Sequence, residues 1–146
     1  MNGIKKEEAL ERLRTIECEV KQLKQVIHEC DEKKNITERV KSFEDACCIT
    51  GFIPTFSKWD TKDEIAFKKL KVIARALNEG WVPNWKNENE YKYAPYFRML
   101  PFGFDDSYYD IWSTYSYVGS RLCYKTKELA EYAGKQFEPL YKDLLT

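Results

Sequence analysis

The stretch TKDEIAFKKLKVIARALNEG, Thr61 to Gly80, decides how the rest of the chain is read. Thr61 followed by Glu64 is a capping-box pattern, in which each residue's side chain satisfies the other's orphan amide at a helix start. Ala66, Leu70, Ile73 and Leu77 then recur at helical spacing, and Ile65, Val72 and Ala76 widen the stripe into a face suited to burial. Gly80 tolerates the left-handed backbone that ends helices. Lys68, Lys71 and Arg75 share another flank, expected to face solvent. A helix with so broad an apolar face needs other elements laid against it, and both directions along the chain offer them.

Downstream the character changes at once. Most of the aromatic residues fall between Trp81 and Tyr124, in a region with Pro83, Pro95 and Pro101 and little helical periodicity. Strands are expected near Tyr96–Leu100, Tyr108–Tyr115 and Leu122–Lys125, joined in antiparallel fashion. Alternation sends Tyr108, Trp112 and Thr114 to one face of the middle strand and Tyr109, Ile111 and Tyr115 to the other. Rings on both faces imply that one covers a core and the other needs cover of its own. A last helix starts at Thr126, a good N-cap, and buries Leu129, Ala130, Ala133 and Phe137; Pro139 kinks or restarts it before Leu140, Leu144 and Leu145.

Upstream, Ser42 with Asp45 opens a short helix that Gly51 closes, and FIPTFSKWD is a loop. Before the polar hinge DEKKN, residues 31–35, lies a different pattern. Leu13, Ile16, Val20, Leu23, Ile27 and Cys30 recur at alternating spacings of three and four, a heptad seam. With Leu13, Val20 and Ile27 at position a, Arg12 and Glu19 take g, and Glu17 and Lys24 take e. In a parallel pair these charges attract, so self-association through Leu13, Ile16, Val20, Leu23 and Ile27 is expected, with Ile16 at d leaving dimer and trimer both open. The fold class is α+β: an N-terminal coiled-coil helix over residues 1–35, then a small antiparallel sheet packed with helices in an aromatic-rich domain over 36–146.

The 146 residues suit one ordinary domain or a small one with an extension. The 24 basic and 24 acidic residues balance overall and along the chain, which disfavours a large nucleic-acid footprint. Apolar runs stay well short of the roughly 18 residues that suggest a membrane helix, and MNGIKKEEALERL is charged where a secretory signal is apolar. Both point to the cytoplasm. The five cysteines form no C-x-x-C pair, so neither a disulfide framework nor a zinc site is expected.

Catalysis is the weaker reading. The single histidine, His28, falls at a water-facing b position of the coil, which removes the usual base for Ser or Cys nucleophiles. Asp105, Asp106 and Asp110 could hold a metal or act as acid and base, but the aspartates after PFGF have local turn reasons to occur. Phosphate-loop glycine motifs are missing, and no cofactor is expected. A ligand-binding site is better supported. In YVGSRLCYKTKELAEYAGKQF, Tyr117 to Phe137, Gly119 allows a tight turn and Arg121 and Lys125 precede a helix start. Alternation would put Arg121, Cys123 and Lys125 on one strand face, with Arg98 reaching them from a neighbouring strand. Arg98, Arg121 and Lys125 would hold an anion, Ser120 and Thr126 would donate hydrogen bonds, and Tyr96, Trp112 and Tyr124 would supply ring surfaces. The competing reading makes the rings core and pairs Arg121 with Asp110 or Glu128.

The segments ERVKSFEDACCITG, KVIARALNEGWVPNW and YVGSRLCYKTKELAEYAGKQF resemble a family of small proteins from phages and mobile elements of gut bacteria, over most of the chain. That resemblance implies a phage-type accessory role in the cytoplasm of a bacterial host. The doubled Cys47–Cys48 departs from the family's single cysteine after EDA and argues against a shared thiol function. Residues and resemblance together point to a non-enzymatic protein that sequesters a small nucleotide-like or phosphorylated ligand, such as an immune signalling nucleotide in counter-defence. The alternatives are a single-stranded nucleic-acid-binding accessory protein and a protein–protein inhibitor of a host enzyme.

Overall fold

The computed structural model describes residues 2–32, 34–100, 103–113 and 120–146. Among these, the side chains of residues 2–5, 25–32, 100, 103–107 and 120 lie outside the description. The fold is α+β, with contacts dividing it into two units, Met1–Asn35 and Ile36–Thr146.

The first unit is one helix, α1 (Asn2–Glu32). It is rich in Glu, Lys, Arg and Leu, which lose little rotamer freedom in a helix. Leu13, Ile16, Val20 and Leu23 are all exposed. Arg12 Nη2 lies 3.4 Å from Glu8 Oε1 one turn back. The seam position Ile27 and the histidine His28 have side chains outside the described set.

The second unit is built around α4 (Lys62–Leu77). Its Leu70, Ile73 and Leu77 are fully buried, as the spacing of the apolar residues requires. The Thr61 amide donates to Glu64 Oε2 at 2.8 Å, closing the capping box. Before it come α2 (Ile36–Arg39) and α3 (Phe43–Thr50). The Ser42 hydroxyl accepts from the Asp45 amide at 3.1 Å, and Asp45 Oδ2 accepts from the Ser42 amide at 2.9 Å. Gly51 ends α3 at a φ of 64°, a conformation that L side chains resist. After α4 come β1 (Lys92–Leu100) and β2 (Gly103–Trp112), paired antiparallel with Lys92 opposite Trp112 and Tyr96 opposite Tyr108. Then α5 (Lys127–Gln136) and α6 (Glu138–Leu145) close the core, separated at Phe137, with Pro139 in the first turn of α6.

Tyr93, Phe97 and Tyr109 pack on the core from one face of the hairpin; Phe97 lies 5.0 Å from the Tyr141 ring. On the other face Tyr96 and Tyr108 remain exposed beside each other, while Lys92 and Ala94 are buried, so that face is covered at one end only. Tyr132 Oη donates to the Val40 carbonyl and Gln136 Nε2 to that of Lys41, both at 2.8 Å, which ties α5 to the segment before α3.

The third expected strand, Leu122–Lys125, does not form. Ser120–Leu122 is a 3₁₀ turn, and the strand pairing shrinks to one bridge between Tyr93 and Tyr124. On the edge that faces Tyr124 the next donor of β1 would be Pro95, which has no amide N–H, and the opposite edge of the segment is taken by Asn78, buried at the end of α4. Its Nδ2 donates to the Cys123 carbonyl at 2.9 Å and its Oδ1 accepts from the Lys125 amide at 3.0 Å. One side chain thus satisfies backbone groups that a neighbouring strand would otherwise pair.

Candidate functional site: a cationic cleft walled by tryptophan

The last turns of α4, the loop after it and the 3₁₀ turn border a half-open hollow of about 440 Å³. Lys71, Ala74, Arg75 and Asn78 form the helical wall, Trp81, Val82, Pro83 and Trp85 the loop wall, and Arg121 and Cys123 the third side. The volume falls within the range of small-ligand pockets. Three lining residues are cationic and none is acidic, so the hollow carries a positive field. Among the described residues, Arg75 and Arg121 have no carboxylate partner.

The loop wall is held from behind. Lys92 is fully buried, and its ammonium donates to the carbonyls of Asn84 (2.6 Å), Glu90 (2.6 Å) and Asn87 (3.2 Å). It also lies 5.4 Å from the Trp85 ring centroid, on which it exerts a cation–π attraction. Glu90 Oε1 accepts from the Asn84 amide at 2.7 Å. That bond, outweighing the effect of burial and helped by Lys92 and Trp81, holds the Glu90 carboxyl below its ordinary range. On the third side Asn78 holds the backbone at Cys123 and Lys125, two residues after Arg121.

Cys123 lies at the back of the hollow, where burial pushes its thiol up to about 11. It stays protonated at neutral pH and is a poor nucleophile there. The described cysteines Cys18, Cys47, Cys48 and Cys123 are all free. Among the described residues, no three His, Cys, Asp or Glu side chains gather as a metal site.

The residues named from sequence are dispersed. Among those whose side chains are described, Arg121 alone lines the cleft. Lys125 Nζ is 2.7 Å from Glu79 Oε2. Thr126 caps α5, its hydroxyl accepting from the Leu129 amide at 3.3 Å. Tyr124 is wholly buried, its hydroxyl 3.1 Å from that of Tyr141, so it is core rather than a stacking platform. Burial drives both phenols' titration upward, keeping this pair neutral. Arg98 and Tyr96 project from β1, with Arg98 opposite Asp106 in register, and Trp112 ends β2 half-buried. The side chains of Ser120, Asp105 and Asp106 lie outside the described set; Asp110 Oδ1 accepts from the adjacent Ile111 amide at 2.8 Å. Arg121 and Cys123 both border the cleft, Arg121 exposed and Cys123 buried, whereas Lys125 does not line it and pairs with Glu79.

Sequence reasoning missed Trp81, Trp85, Lys71 and Arg75 as partners of Arg121. The available signal was two tryptophans in a polar, helix-terminating loop, WVPNW, following a basic helix flank. That flank divides. Lys68 bonds Asp60 Oδ2 at 2.5 Å and the Thr55 carbonyl at 3.2 Å, while Lys71 and Arg75 form a ridge. Beyond the ridge lies a second hollow of about 330 Å³, lined by Phe52, Pro54, Thr55, Lys68, Lys71, Val72 and Arg75. Among the described residues no helix is long and apolar enough to cross a membrane.

Comparison of the chain with protein-family models, curated proteins and solved structures gives no match.

Proposed function

We propose that this protein binds, without altering it chemically, a small phosphorylated ligand bearing a planar ring, and so sequesters it in the cytoplasm of a bacterial host. One observation carries the reading: Lys71, Arg75 and Arg121 meet Trp81 and Trp85 around one hollow whose lining holds no acid. Guanidinium groups grip phosphate oxygens in pairs of parallel hydrogen bonds, and tryptophan faces stack on bases. Capture works as inhibition only when binding is tight, and a wall pinned by Lys92 and Asn78 loses little freedom on binding. The accessory context implied by the resemblance fits stoichiometric capture better than turnover.

The test is calorimetric titration with AMP, ATP and a cyclic dinucleotide, with tryptophan emission followed in parallel and the ligand's mass checked afterwards. Saturable binding, quenched emission and an unchanged mass are expected. Arg121→Ala should lower affinity by about 1.5–3 kcal/mol, the range for hydrogen bonds to charged groups. Equal affinity in that variant would remove Arg121 from the site, and a converted nucleotide would replace capture with catalysis.

A second reading has one observation in its favour. The Lys71–Arg75 ridge separates two hollows, a layout that suits a phosphate backbone with bases on either side. A short single strand bound this way loses affinity steeply with salt; an enclosed nucleotide does so much less.

A further inference from the structure

We propose that α1 forms a parallel coiled coil with further copies of this chain. The helix runs 31 residues, about 46 Å at 1.5 Å per residue, and isolated helices draw most of their stability from covering an apolar face. That face is open: Leu13, Ile16, Val20 and Leu23 are 54%, 56%, 43% and 62% exposed. It is also narrow. Arg12 and Glu19 border it on one side and Glu17 and Lys24 on the other, which is the seam of a coiled coil rather than the broad stripe of a helix packed in a globular core.

The flanking charges name both the occupant and its direction. In a parallel coil, position g of one helix faces position e of the next heptad on its neighbour. Arg12 then meets the partner's Glu17, and Glu19 meets the partner's Lys24, each opposite in sign. The antiparallel arrangement that stacks the same four layers sets Leu13 on the partner's Leu23 and Ile16 on the partner's Val20. Its two-fold axis then passes near residue 18. Glu17 faces the partner's Glu17, and Glu19 faces the partner's Glu19, like against like. Among the pairings that stack these four layers, the parallel one is complementary and the antiparallel one is not. Ligand capture in the second unit requires none of this, so the two proposals stand or fall separately.

Native mass spectrometry and light scattering on the full chain at low salt test the inference. Two or three subunits are expected, and a monomer at tens of micromolar would overturn it. Charge reversal tests the direction. Glu19→Lys sets an ammonium group against the partner's Lys24 and should weaken association about tenfold, the scale of a few exposed ion pairs turned repulsive. Adding Lys24→Glu restores the attraction and should recover the original subunit count. An antiparallel coil predicts no loss with Glu19→Lys, since one like-charge pair merely replaces another. The thermal unfolding of the second unit should be unchanged in both variants, which separates lost association from lost folding. Failure of the double variant to recover would overturn the parallel register.

Discussion

Helices α1 and α4 are both amphipathic, yet the described apolar residues of one lie in the open and the other buries most of its own. In α4 the stripe is wide, running from Ala66 through Leu70, Val72, Ile73, Ala74 and Ala76 to Leu77, all buried. In α1 it is a single file bordered by charge, and the described seam residues are exposed. The difference is one of width: a broad face can be met by several elements of the same chain, whereas a narrow seam fits another helix of its own kind. The periodicity alone, shared by both, does not distinguish them.

The sharpest way to break this comparison is truncation on each helix. Leu70→Ala should cost the second unit about 2–5 kcal/mol, the range for a buried leucine leaving a cavity. Leu13→Ala should leave that unit's unfolding within about 0.5 kcal/mol of the parent, as for exposed positions. Urea unfolding followed by near-ultraviolet circular dichroism measures both, and equal losses would abolish the distinction.

A smaller loss is expected at the end of α4. Asn78→Ala leaves the Cys123 carbonyl and the Lys125 amide without their partner, at about 1–3 kcal/mol for a buried group left unsatisfied. It should also weaken nucleotide binding, because Arg121 sits two residues before the segment that Asn78 holds. Reduced stability with undiminished affinity would uncouple the strut from the site.

The smallest effect concerns the loop that follows. Glu90 titrates below its ordinary range because its carboxylate accepts from the Asn84 amide, with Lys92 and Trp81 adding to this. A folded value below the unfolded one means that its contribution is present above the unfolded range and lost as pH falls through the folded value. Trp81 and Trp85 emission should therefore change below the usual carboxylate range while Tyr124 and the core stay intact. Glu90→Gln should remove that acid-dependent step, and an unaltered step would assign it elsewhere.

What could be read in advance was what is local. The capping residues of α3, α4 and α5 lie within a few positions of the amides they serve, so Ser42, Thr61 and Thr126 mark those helix starts from sequence. The hairpin was legible as aromatic segments, although β1 begins at Lys92 rather than Tyr96. The conformation of Leu122–Lys125 was not, because it depends on a side chain more than forty residues earlier. The cleft was only partly legible for the same reason. Arg121 stands out in sequence close after Gly119, but its neighbours Arg75 and Trp85 come from segments whose own patterns do not say that they meet it. Lys125, equally conspicuous, is drawn off by Glu79, a residue from the turn that ends α4.

The enclosed ammonium of Lys92 sets a strict rule on its own replacement. Three carbonyl oxygens converge on one nitrogen, a geometry that suits a compact tetrahedral donor at the end of a slim stem. Arginine keeps the charge but spreads its donors across a flat fork, so it cannot address all three oxygens from that spot. At this position shape outranks sign, and the tryptophan-bearing loop is gathered on this one nitrogen as well as on the Glu90 carboxylate.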